Sequence, residues 1–114
     1  MHDEQQGEGE ETLMMPTLYL EEAQEHVAKW HKKCFPALYN GDTEKLFDQL
    51  FLKLSEETGE AVRDYNHKEK QGKLAHETMD VIVVALQIIE VLGQSSEMKF
   101  DEVMEKNQAK LKDD

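Results

Sequence analysis

A chain of 114 residues with 25 acidic against 13 basic side chains carries a net charge of −12. That balance argues against a nucleic-acid backbone or an anionic membrane as the main partner, because both repel an acidic surface; a free nucleotide carried with its own metal is not excluded. The length allows one small domain whose own core is modest, so association with further copies would help it.

Cys34 stands alone, which excludes an intramolecular disulfide and points to a reducing, cytoplasmic setting. No base is evident near it in sequence, so it reads as a filler and not as a nucleophile. Residues 1–16, MHDEQQGEGEETLMMP, are dominated by Glu, Gln and Gly. This composition predicts a disordered acidic tail, not a signal peptide, which needs positive charge followed by an apolar run. Residues 17–114 are expected to form the domain. Its longest apolar run, Val81 to Leu86, is far shorter than the ~20 residues a membrane span needs.

The first helix is predicted from Thr17, after Pro16, with Glu21 and Glu22 near its start, where negative charge suits the helix dipole. It carries Leu18, Leu20, Ala23, Val27 and Trp30 and ends near Cys34, because Pro36 disfavours helix at Phe35. The loop PALYNGD follows, with Asn40–Gly41 as a turn and Asp42 or Thr43 as the next cap. A second helix is predicted from Thr43 to about His67, its apolar side running from Leu46 and Leu50 to Val62 and Tyr65 within an arc of roughly 160°. Glu57 and Glu60 fall beside that arc together with Lys53 and Asp64, whereas Glu56 lies further round. Gly59 between them either lets another element approach closely or is simply tolerated.

After the polar linker NHKEKQGK a third helix is predicted from Leu74 to Leu92, with Gly93 as its C-cap. It is apolar almost all round, which suits the middle of a bundle or a subunit interface. Ser95 and Ser96 offer caps for a fourth helix, from about Met98 to Lys112, with Phe100, Val103, Met104 and Leu111 on its apolar side and Lys106, Asn107 and Lys110 beside it. Such a cluster suits either a polyphosphate or the helix dipole. No alternating stretch is long enough for a sheet. The expected fold class is therefore all-α, a four-helix bundle.

The chemistry centres on EETGE at 56–60 and ETMD at 77–80. A spacing of three keeps two side chains on one helix face, so Glu57 with Glu60, and Glu77 with Asp80, form two carboxylate claws. Three readings compete. The acids are solvated helix faces; or they hold a di-iron or di-manganese centre; or they form an all-oxygen magnesium site. The second wants a Glu-x-x-His pair on two helices, yet Glu77 is followed at that spacing by Asp80, and His76 precedes it. His26, His31, His67 and His76 all read as surface or capping residues. Glu77 and Asp80 lead into the apolar run, where unpaired carboxylates are costly and a hard cation would relieve them.

The paired Glu-x-x-Glu and Glu-x-x-Asp motifs, with KLSEETGEAV around the first, DVIVVALQIIEVLG after the second and MEKNQAKL near the end, resemble the MazG-like nucleoside triphosphate pyrophosphohydrolases. The resemblance covers roughly residues 18 to 112. It implies that Glu57, Glu60, Glu77 and Asp80 hold Mg2+, or Mn2+, and that Asn107 with Lys106 or Lys110 contacts the triphosphate. Trp30 would line the base pocket, its alternative being a core tryptophan. Glu56 or Glu57 would activate water. The implied reaction is cleavage of a nucleoside triphosphate to monophosphate and pyrophosphate, as nucleotide-pool cleansing, in a homodimer or homotetramer. Val103 and Lys110 stand where many relatives carry basic residues and an arginine. A phosphoribosyl-ATP pyrophosphohydrolase shares the acids, and a non-enzymatic helical interaction module is the reading from another class.

Overall fold

The computed structural model describes residues 16–113, with the side chains of all but 16–18, 69, 112 and 113. The acidic stretch expected to be disordered lies, but for Pro16, outside the described residues. Four helices follow one another: α1, Pro16–Cys34; α2, Thr43–Tyr65; α3, Leu74–Val91; and α4, Ser96–Asp113. The all-α expectation holds, with no strand among the described residues. The first two of the three connecting segments, expected as loops, contain 3-10 turns, Pro36–Tyr39 and Lys68–Lys73.

Local chemistry accounts for the boundaries. Phe35, ahead of Pro36, leaves helical geometry at φ −130° and ψ 60°, as the proline ring requires. Gly41 takes φ 102°, a left-handed conformation that glycine adopts without Cβ strain. Asp42 then caps α2, its Oδ1 accepting from the Lys45 N–H at 3.0 Å. The second helix ends two residues sooner than expected: the N–H of Asn66 turns back onto Val62 and Arg63 carbonyls. Gly93, at φ 73°, closes α3, and Ser95 Oγ caps α4 by accepting from the Met98 N–H at 3.2 Å.

α2 and α3 run antiparallel. Leu46 and Leu50, early in α2, bury against Ile88, late in α3, and Leu38, Tyr39, Phe47, Leu54, Val84 and Val91 pack around them. α1 lies across α3 with Val27 and Gln24 buried. Gln24 makes a polar junction of three helices. Its Nε2 donates to Glu90 Oε1 at 2.8 Å and to the Gln94 carbonyl at 2.9 Å, while its Oε1 accepts from the Ser96 N–H at 2.7 Å. Glu21, expected to serve the dipole of α1, instead accepts from Ser95 Oγ at 2.8 Å. Helix α1 begins at Pro16, which puts Glu21 beyond the first turn.

Two expectations about burial need correction. Helix α3 is not in the middle of a bundle, one of its two expected places: Met79 and Ile82, and Leu92 just past its end, are exposed, because one side of the helix has no partner among the described residues; the other expectation, a subunit interface, is compatible with that exposure. Helix α4 turns away by 107° after α3, and every residue from Met98 to Leu111 is exposed. No single helix among the described residues is long and apolar enough to cross a membrane.

The Gln24 junction is testable. Gln24→Ala strips the Ser96 N–H of its buried acceptor, which predicts a loss of about 1–3 kcal/mol. The urea midpoint should fall, and amide exchange should accelerate first across Ser96–Lys99. Unchanged exchange there would show that α4 is held by other contacts.

Candidate functional site

The antiparallel run of α2 and α3 sets the acid-bearing end of one beside the acid-bearing start of the other. Glu57 and Asp80 line one cavity of about 820 Å³, together with Lys53, Gln87, Leu50 and Val84 and, from α1 and the turn after it, Trp30, His31, Cys34 and Phe35. This volume falls in the range of small-molecule sites. Its walls are largely apolar at the α1 side and charged at the α2–α3 side.

The aromatic wall is ordered by edge contacts. Trp30 and Phe35 meet at 6.2 Å between ring centroids, nearly perpendicular. Trp30 is 48% exposed, so it is a cavity wall and not a core tryptophan. Cys34, expected as a filler, is also exposed at this wall. His31, expected at the surface, is half-buried, its Nδ1 2.6 Å from the Tyr39 hydroxyl. Gln87, almost fully buried, donates from Nε2 to the same hydroxyl. The Tyr39 hydroxyl thus accepts from Gln87 and shares a second hydrogen bond with His31 Nδ1. Burial lowers the His31 pKa. Burial first, then the nearby Glu90 charge, raises that of Tyr39, against the opposing hydrogen bond from Gln87.

On the charged side, Glu57 is largely covered and its Oε2 lies 3.0 Å from Lys53 Nζ, whose side chain is mostly exposed. The hydrogen bond to Glu57 and its charge, then Glu56 and Glu60, raise the Lys53 pKa. A pair four residues apart with lysine first is the weaker orientation on a helix and contributes only about 0.3–0.5 kcal/mol. One turn further along the seam, Glu77 faces Asp64 of α2. Burial first, then the hydrogen bond to Asp64 and the charges of Asp64 and Glu60, push the Glu77 carboxyl above its ordinary pKa. Its Oε1 is buried without a hydrogen-bond partner.

The structure therefore brings Glu57, Asp80 and Trp30 to one cavity and sets Glu60 and Glu77 along the same seam outside its lining. Asp80 is exposed, against the expectation that it stands in the most buried helix, and Glu60, expected beside the apolar arc of α2, is exposed as well. Glu56 is also exposed, in keeping with its angle on α2. Lys106, Asn107 and Lys110 are exposed on α4 and do not line the cavity. Gly59 has open space where a Cβ would stand, so no close approach requires it. Asp64, Lys53, Gln87 and the His31–Tyr39 pair went unassigned in the sequence. Asp64 had a signal: it lies four residues beyond Glu60, on the face of the claw.

Among the described residues, no three His, Cys, Asp or Glu side chains form a ready-made metal cluster. Glu77 Oε1 is buried without a hydrogen-bond partner among the described residues, and Glu57 pairs with Lys53 at 3.0 Å. The donor set is all carboxylate oxygen and suits a hard divalent ion.

The family model of the MazG nucleotide pyrophosphohydrolase domain matches residues 45–113. The chain belongs to this family. The matched stretch holds both claws and nearly all of α2, α3 and α4, and leaves out α1 with Trp30 and His31. No curated protein and no solved structure matches the chain. Membership supports a nucleotide pyrophosphohydrolase activity in general, in a family that generally depends on a divalent metal.

The raised Glu77 carboxyl gives a pH signature for this MazG domain. A pKa higher in the folded than the unfolded chain contributes stability that is present at acid pH and lost as pH rises through the folded value. At neutral pH without metal the ionised group is therefore a liability. Glu77→Gln should raise the thermal midpoint in EDTA at about pH 7, and its advantage over the parent should shrink as pH falls to about 5. A gap that stays constant over that interval would show that the Glu77 charge is not the source.

Proposed function

We propose that this MazG domain is a magnesium-dependent nucleoside triphosphate pyrophosphohydrolase that releases the monophosphate and pyrophosphate, in nucleotide-pool cleansing. The observation that carries the reading is the shared cavity, where Trp30 stands at one wall and Glu57 and Asp80 at the other. An aromatic surface for a base and oxygen ligands for a phosphate-bound cation are what a nucleotide requires within one pocket.

Glu57, Glu60, Glu77 and Asp80 would hold the metal. When bound, it supplies neutralisation of phosphate charge and a more acidic water. The protein's own work is distributed around it. Trp30 offers a face for the base and Phe35 supports its edge. Glu56 or Glu57 takes the proton of the attacking water or orients it. The mostly apolar α1 wall keeps bulk water from the base. Lys106, Asn107 and Lys110 would reach a triphosphate from the α4 of a second copy. The exposed apolar side of α4, with Phe100, Val103 and Met104, supports a homodimer or homotetramer in which that happens.

Incubation with a panel of NTPs and dNTPs and magnesium should yield pyrophosphate. Inorganic phosphate alone, or no product from any of them, would sink the proposal. Asp80→Asn should abolish turnover and keep the helical circular dichroism, since Asp80 is exposed. Loss of the helical signal would instead make the acid structural. Trp30→Ala should raise KM about tenfold, from the loss of base stacking of ~1–3 kcal/mol, with kcat little changed. An unaltered KM would remove Trp30 from the base site.

A further inference from the structure

The cavity that this reading assigns to a nucleotide triphosphate contains one fixed positive charge. Among its described lining residues only Lys53 is a lysine or arginine, and burial disfavours the charged form of the half-buried His31 ring. The Lys–Asn–Lys cluster of α4 lies elsewhere on the chain. Lys53 is engaged with Glu57 at 3.0 Å, so in this state it neutralises a proposed metal ligand instead of facing the space it lines. The pair is weak by orientation and exposure, and the lysine side chain, with four rotatable bonds, can swing away while its Cα stays on α2. A divalent ion on Glu57 would displace the ammonium by charge repulsion. The released ammonium would then lie beside a cavity holding a polyphosphate.

We propose that Lys53 is an exchange counter-ion: it pairs with Glu57 while the cavity is empty, and binds a substrate phosphate oxygen once a divalent cation occupies Glu57. The inference rests on the pyrophosphohydrolase reading above and adds to it a phosphate-binding residue within the same chain as the acids. It also gives α2 a coupled order of events, in which the cation both binds the claw and frees the phosphate contact.

Two opposite shifts test it. With no nucleotide present, Lys53→Met should bind Mn2+ two- to threefold more tightly than the parent by EPR titration, because the competing ammonium is gone. With Mn2+ saturating, the same variant should bind a non-hydrolysable α,β-imido nucleotide about tenfold or more weakly, as loss of a charge-assisted phosphate contact predicts. Lys53→Arg should restore nucleotide binding. Lys45→Met removes the same charge two turns away on α2, and it should shift neither measurement. A purely structural Lys53 would leave both values where they were, and that result overturns the proposal. Equal tightening of Mn2+ by Lys45→Met also overturns it, since net charge and not the ion pair would then be responsible. If the parent protein binds no Mn2+ at all, the metal reading itself fails and takes this inference with it, an outcome distinct from unchanged affinities in a protein that does bind the ion.

Discussion

The α2–α3 seam is held together at one end and strained at the other. Leu46, Leu50 and Ile88 bury against one another, and burial of such side chains supplies about 1.5–3 kcal/mol each. A few turns along, the same antiparallel run sets Glu57, Glu60 and Asp64 beside Glu77 and Asp80. Like charges at that range disfavour one another and favour a proton or a cation between them. The apolar end sets the register, so the acidic end cannot relax by sliding. The cavity opens where the seam turns from leucine to carboxylate, with Leu50, Glu57 and Asp80 in its lining.

Much of this was readable from residues. The caps at Asp42, Ser95 and Gly93 follow from chain-local chemistry, and each helix boundary falls within two residues of its expected place. A spacing of three puts Glu57 with Glu60, and Glu77 with Asp80, on single helix faces, but only Glu57 and Asp80 line the cavity. Burial was the part that misled, since periodicity reports how apolar a face is and not what covers it. Helix α3 carries apolar residues on all sides, yet Met79, Ile82 and Leu92 face outward. The same pattern in a covered helix would read identically.

Other features were hidden for a different reason. Gln24 and Gln87 are among the most buried residues in the chain, although glutamine is ordinarily exposed. Their roles depend on partners at distant positions: Gln24 meets Glu90, Gln94 and Ser96, and Gln87 meets Tyr39. No local pattern announces such pairs, because the hydrogen bonds exist only once the helices are packed. His31 belongs with them; its hydrogen bond goes to a tyrosine eight residues away that also accepts from a glutamine on another helix. The family match, residues 45–113, covers the claws and omits the helix that carries Trp30 and His31. The acids proposed for the site and the aromatic wall therefore rest on different grounds, the first on kinship and geometry together, the second on geometry alone.

The arrangement of charge also explains why an acidic protein can host a polyanion. A net charge of −12 opposes a bare triphosphate at any distance where screening is incomplete. The opposition is local as well, since Glu57 and Asp80 line the very cavity in question. A nucleotide entering without a divalent ion would meet two carboxylates and a lysine already paired with one of them. Under the proposed function, entry with the ion would reverse each term: the carboxylates would become ligands, and Glu57 would no longer need the lysine. On that proposal the excess of acid would act as a filter that rejects free anions and admits metal-bound ones, and the buried Oε1 of Glu77, without a hydrogen-bond partner among the described residues, belongs to the same seam.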